Sequence, residues 1–367
     1  MRVLYVGNFD LYETGGTRRA YEVVRRIRRY GVEPYILHTK KVSDDALTSI
    51  GALRSLKEVV VVTKSIEEVR KLNVDLIVST SESPSPVITA YHTARKLRKP
   101  WTVVMQLPII LRYTPASTEP IIVDLLWLPQ QIYVLNLLRK TTLLTVSISC
   151  ILESTVKMHR FIVLRPGVGI EYEKFSSIDN QEKLYDAIFM ARLTPEKGVY
   201  DVVKIWSHVV REHPKARLAI AGKFRDDKVM QGFYWLVQKK GLEKNIIYLG
   251  FLREEEKIIA LKRAKLFIYP SKLDAFPTIV LESLASGTPV VAYNIPAIKY
   301  NYPENIVIKV RKGDVNIFAR KVTELLYDDT YINSISYEAR KFASYFTWER
   351  VSEVEVYAYK RLTSSSP

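Results

Sequence analysis

Two doubly wound α/β halves are what this sequence predicts, and three observations carry the prediction. Short continuous apolar runs, such as Val59–Val62 and Leu76–Val78, recur along the chain. Unbroken runs of this length mark strands buried on both faces, hence parallel sheets covered by helices. Segments of helical spacing alternate with them. The alternation stops at Leu164-Arg165-Pro166-Gly167-Val168-Gly169, where Pro and Gly cluster, and then restarts. The boundaries read from this are 1–168 for an N-terminal half, 169–345 for a C-terminal half and 346–367 for a C-terminal helix and tail. The length of 367 residues also exceeds the ~250–300 at which single cores stop growing.

In the first half, Val3–Val6 reads as a strand. Gly15-Gly16 then precede a helix over Thr17–Tyr30, with Ala20, Val23, Val24 and Ile27 inward and Gly31 as its stop. Pro34–Leu37, Val59–Val62, Leu76–Val78, Trp101–Met105 and Leu143–Val146 continue the strands, and a helix is expected over 124–140. In the second half the strands are Tyr185–Met190, Arg217–Gly222, Ile246–Leu249, Leu266–Tyr269 and Val290–Tyr293. Asp201–Glu212 is helical with Val202, Ile205, Trp206 and Val209 on one face, and Thr278–Ser286 is a short apolar helix ended by Gly287. Ligands of open α/β sheets bind at the carboxyl ends of the strands, which in two such halves would face a cleft.

Composition narrows the function. Apolar residues make up 47% and charged residues 26%, an ordinary globular balance. A lone cysteine, Cys150, excludes a disulfide scaffold, and five scattered histidines argue against a structural zinc site. The start of the chain reads as a strand, not a secretory leader, and the most lipid-like stretch, Ile121–Leu138, carries Asp124, Pro129, Gln130, Gln131 and Asn136. A cytoplasmic protein, reaching a membrane only from the side, is expected. The formal charge of +16 points to an anionic partner.

Three motifs stand at strand-to-helix junctions. Gly15-Gly16 lets backbone approach a ligand at a helix start, or makes a plain turn; the spacing is not the dinucleotide fingerprint. Ala191–Gly198 places Arg192 and Lys197 beside a helix N-terminus, where cations and dipole together suit a diphosphate; the alternative is a solvated charged loop. In the third, Asp274 follows a buried strand and Glu282 lies eight positions later among Val280, Leu281, Leu284 and Ala285. A carboxylate in an apolar helix needs a partner, either a ribose diol or a nearby Lys or Arg. Asp274–Thr278 can present backbone N–H groups to an anion. Asp44-Asp45, Asp226-Asp227 and Asp328-Asp329 read as solvated turns, and with no D-x-D spacing no divalent metal is indicated.

These residues, with Ala221-Gly222, Leu249-Gly250-Phe251, Pro270-Ser271, Gly287–Ala292 and Phe346-Thr347-Trp348-Glu349, resemble the retaining GT-B glycosyltransferases of the group 1, or family 4, type. The first half resembles that family's acceptor domain through Gly15-Gly16 and its strand order. The resemblance implies a GT-B fold, with the C-terminal helix crossing back to the first domain, and transfer of a sugar from a UDP- or GDP-linked donor with retention. It implies no cofactor and no metal, the nucleotide sugar being a substrate. By resemblance Arg192 and Lys197 bind the donor diphosphate and Glu282 its ribose. Phe276, Pro277, Thr278 and Ile279 supply phosphate-facing backbone, Leu252 lines the base pocket, and Gly15 and Gly16 contact the donor. Asp274 stands where the family usually has the first Glu of its E-x7-E motif, and Gln106 where many relatives have a His. Both are carried over as catalytic residues, together with Arg192 and Lys197.

Residues 1–170 carry 24 Lys+Arg and 14 Asp+Glu, a difference of +10, and the remainder 31 and 25, a difference of +6. The first excess gathers at Arg18, Arg19, Arg25, Arg26, Arg28 and Arg29, expected on the solvent face of the first helix, and at Arg95–Lys99. Such a surface fits anionic lipid headgroups and a lipid-linked or glycan acceptor, or a thermophile-like surface. The alternatives are a GT-B nucleotide-sugar 2-epimerase, an inactive GT-B scaffold and, in another class, a nucleic-acid-binding protein. No nucleic acid is expected, since the basic clusters are not interleaved with aromatics on a sheet.

Overall fold

The structure, a computed structural model, describes residues 1–9, 15–39, 61–63, 66–109, 121–154 and 160–364. Val59, Val60 and Asp44-Asp45 lie outside the described residues. The chain forms two units, one of Met1–Gly169 with Trp348–Pro367 and one of Ile170–Thr347.

Unit 1 runs β1 (Arg2–Gly7), α1 (Gly15–Val24), β2 (Glu33–His38), β3 (Val61–Thr63), α2 (Ile66–Lys71), β4 (Leu76–Ser79), α3 (Pro84–Leu97), β5 (Trp101–Met105), α4 (Ile121–Leu138), β6 (Leu143–Thr145), α5 (Ile148–Leu152) and β7 (Phe161–Val163). Its seven strands are ordered β3-β2-β1-β4-β5-β6-β7, all parallel. Sequence order reverses between β1 and β4, so the switch-point crevice lies beyond Gly7 and Ser79.

Unit 2 continues with α6 (Tyr172–Ser177), β8 (Tyr185–Met190), α7 (Val199–Glu212), β9 (Leu218–Ala221), α8 (Asp227–Lys239), β10 (Ile246–Gly250), α9 (Glu254–Lys262), β11 (Ala264–Tyr269), α10 (Thr278–Ala285), β12 (Val290–Tyr293), α11 (Pro296–Asn301), β13 (Val307–Val310), α12 (Val315–Leu326) and α13 (Asp329–Ala343). Its strands are ordered β10-β9-β8-β11-β12-β13, again all parallel, with the reversal between β8 and β11. The core is built as the apolar spacing requires. Val202, Ile205, Trp206 and Val209 of α7 are buried, as are Ala187–Met190 of β8 and Leu266–Tyr269 of β11. Burying a side chain such as Ile205 stabilises by roughly 1.5–3 kcal/mol.

The last helix, α14 (Trp348–Ser364), belongs to unit 1, as expected. Its attachment corrects the reading of the first helix. That helix ends at Val24, where the Arg26 N–H turns to the Val23 carbonyl (3.0 Å), and a 3-10 turn over Ile27–Tyr30 follows before Gly31 (φ 78°). Arg19 and Arg26 are not on a solvent face. Arg19 donates to Glu355 of α14 (2.5 Å) and to the Gly167 carbonyl (2.6 Å). Arg26 pairs with Glu22 and with Glu349 (2.7 Å). Both arginines are buried.

Two more expectations change. Strands β7 and β13, edge strands beyond β6 and β12, are additional to those expected. Asp226 and Asp328 are helix N-caps rather than bare turns: their carboxylates accept the N–H of Val229 (2.9 Å) and Tyr331 (2.8 Å). Among the described residues no helix is long and apolar enough to cross a membrane.

Candidate active site

The second and third motifs meet at the switch point of unit 2. The loop after β8 carries Arg192, and a 3-10 turn over Pro195–Lys197 carries Lys197 into the N-terminus of α7. The loop after β11 carries Asp274 and enters α10. Adjacent parallel strands deliver both loops to one edge, because β8 and β11 pair in register, Ile188 against Phe267.

The two loops are stitched together. The Lys272 N–H donates to the Glu196 carbonyl (2.8 Å), and the Lys272 ammonium pairs with the buried Asp201 (3.0 Å). Lys197 Nζ donates to Asp274 Oδ2 (2.6 Å) and to the Leu273 carbonyl (3.2 Å). Asp274 is fully engaged. Oδ2 also accepts the Tyr269 hydroxyl (2.5 Å), and Oδ1 accepts the Ala275 N–H (2.8 Å). Burial, then the adjoining Asp274 carboxylate, push the Tyr269 phenol well above its ordinary value, so it remains a donor. Asp274 is therefore the holder of Lys197 in this arrangement, one methylene short of a Glu but reached by a phenol from β11.

Arg192 is exposed and has no ion pair among the described residues. The first N–H groups of α10, at Thr278 and Ile279, have no acceptor among the described residues. A free guanidinium, a held ammonium and a helix start thus share one strand edge, an arrangement able to bind an anion. Glu282, one turn into α10, is buried and takes the Lys257 ammonium on Oε1 (2.7 Å). Phe276 is anchored against Tyr302 (5.8 Å) and Phe346 (6.2 Å), and the Tyr302 hydroxyl holds the Pro277 carbonyl (2.9 Å). Leu252 is half-buried at the end of β10.

Gly198 makes the turn possible. Its φ is 87°, and a Cβ there would lie 2.2 Å from the Pro270 carbonyl oxygen. Gly198→Ala is expected to destabilise unit 2 by roughly 2–4 kcal/mol, combining left-handed strain with overpacking. Chemical denaturation of the variant checks this; a change under ~1 kcal/mol would show that the turn relaxes freely.

Gly15, Gly16 and Gln106 come together at the switch point of unit 1. Gln106 Nε2 donates to the carbonyls of Thr80 (2.7 Å) and Gly16 (3.3 Å), so its amide hydrogens tie the loops after β1 and β4. A Cβ at Gly16 would meet Gln106 Oε1 at 2.4 Å, whereas Gly15 faces open space. The Gln106 N–H donates to Glu82 (2.8 Å), whose carboxyl is raised by burial. The Cys150 thiol lies 3.6 Å from the Gln106 carbonyl and is pushed up to about 12 by burial. At pH 8 it is expected to react with iodoacetamide at least ~100-fold more slowly than in the unfolded chain, read by mass spectrometry.

Sequence reading did not single out Tyr269, Lys257, Lys272, Asp201 or Glu82. Only Lys272 carried a signal, as a cation inside the Pro270–Asp274 motif.

Residues 171–342, nearly all of unit 2, match the profile of the family described as glycosyl transferases group 1. Glycogen synthase of Mycobacterium tuberculosis is 27% identical over 207 residues, covering 54% of this chain and 47% of that protein. The chain thus spans about half the length of such curated relatives. Among solved structures, a glycosyltransferase from Rickettsia africae superposes with a TM-score of 0.76 at 16% identity, covering 100% of this chain and 99% of that one. HepE of Anabaena, solved with UDP and glucose, superposes at 0.73 and 14% identity, covering 98% and 100%. The two units have the GT-B fold, and residues 171–342 match the glycosyl transferases group 1 family.

Proposed function

We propose that the chain transfers a hexosyl group from a UDP- or GDP-sugar, with retention, to a lipid-linked, glycan or other acceptor. The observation that carries this is the convergence of Arg192, Lys197, the α10 N-terminus and Glu282 on one strand edge of unit 2. Arg192 and Lys197 hold the donor diphosphate and stabilise it as it leaves. The backbone of Phe276–Ile279 faces the phosphates, Glu282 takes the ribose and Leu252 the base. Asp274 acts through Lys197. HepE was solved with UDP and glucose, which supports a uridine donor.

The acceptor reading is supported by a face of unit 1. Leu128, Ile132 and Tyr133 of α4 are exposed, as are Arg95 and Lys96 of α3 and Arg139 and Lys140 just after α4. Apolar and aromatic groups beside cations suit an anionic membrane surface on the cytoplasmic side.

The test is incubation with a panel of UDP-, GDP- and ADP-sugars, reading nucleoside diphosphate release and the anomeric configuration of the product by NMR. Release from one donor with retention is expected. No turnover and no binding of any of them would contradict the reading.

A further inference from the structure

Glu282 is held by a residue that no motif names. Lys257 lies on α9, which follows β10, whereas Glu282 lies on α10, which follows β11. Their side chains are 15% and 10% exposed and meet at 2.7 Å, Nζ to Oε1. Acidic neighbours are close along the chain, yet Lys257 does not pair with them. Glu254 pairs with Lys174 (2.8 Å), and Glu256 accepts the Arg253 N–H (2.8 Å). Glu282 Oε2 accepts no hydrogen bond among the described residues and is not among the sealed buried atoms. Lys257 Nζ, with three hydrogens, donates one to Glu282.

We infer that Lys257 is the positioning and specificity residue for the ribose of a ribonucleoside diphosphate, reading the diol jointly with Glu282. The inference rests on the proposed donor site. One ribose hydroxyl donates to Oε2 while a diol oxygen accepts from Nζ. A hydroxyl is both donor and acceptor, and a paired carboxylate and ammonium match it on both counts. Lys257 also fixes the Glu282 rotamer, so that Oε2 faces the ligand. A deoxyribose leaves one member of the pair unsatisfied, and sites built to bond a hydroxyl discriminate strongly against its absence.

The test is calorimetric titration of the full chain with UDP and GDP, each beside its 2′-deoxy and 3′-deoxy analogues, in wild type, Lys257→Met and Lys257→Gln. Wild type is expected to prefer one ribonucleotide over a deoxy analogue by about tenfold or more. In Lys257→Met the preference falls to within about threefold. Lys257→Gln keeps a donor and retains an intermediate preference, which covers the case in which the methionine variant does not fold. A preference unchanged in both variants overturns the inference while leaving the donor site standing. Failure of wild type to bind any nucleoside diphosphate overturns the donor site itself.

Discussion

Lys197→Met is expected to slow sugar transfer by about 10²–10³-fold at saturating donor, or ~3–4 kcal/mol, the cost of losing one preorganised charge aimed at the leaving group. The fold has reason to survive. Asp274 keeps the Tyr269 hydroxyl and the Ala275 N–H, and the loop keeps the bond from Lys272 to Glu196. Steady-state kinetics with circular dichroism on the same sample separate the two effects. Lys197→Arg retains the charge but replaces the compact ammonium shared by Asp274 and the Leu273 carbonyl with a planar guanidinium, and an intermediate rate is expected. A rate within threefold of wild type for Lys197→Met would remove this residue from the chemistry.

Arg19→Ala is expected to cost unit 1 about 3–5 kcal/mol, because it leaves an uncompensated buried carboxylate. The side chains of Arg19 and Glu355 are 3% and 2% exposed. Without Arg19, Glu355 retains the Tyr359 hydroxyl, and the Gly167 carbonyl loses its donor. The loss is read by urea denaturation and by faster hydrogen exchange along α14. Arg19→Met with Glu355→Leu is expected to recover most of it, since replacing both charges by apolar groups removes the desolvation cost. Equal stability of the single variant and wild type would show that the Arg19–Glu355 pair does not hold α14.

The contrast between these two sites explains what the sequence could reveal. The loop motifs of unit 2 were legible because each is local. A buried apolar run sets the strand, Gly198 or Gly287 sets the turn, and the charged residues stand at fixed offsets from both. The parallel order of the strands then delivers Arg192, Lys197 and Asp274 to one edge without further instruction. Contacts between distant segments leave no such trace. Arg19 and Arg26 look like surface arginines because Glu355 and Glu349 are more than 300 positions away. Lys257 follows Glu254, Glu255 and Glu256, which offer nearer carboxylates along the chain than Glu282 does. Tyr269 reads as the end of a buried strand, which it is, and nothing in that run says its hydroxyl reaches Asp274. Strands β7 and β13 lie at the edges of their sheets, and Lys309 interrupts the apolar run of β13.

The central claim is that a nucleoside diphosphate binds at the switch-point loops of unit 2. Hydrogen–deuterium exchange of the full chain, with and without saturating UDP or GDP, tests it most directly. Protection is predicted in two segments, Arg192–Gly198 and Asp274–Glu282, and it should fall in Lys197→Met. Protection confined to other segments, or none with either nucleotide, would contradict the claim.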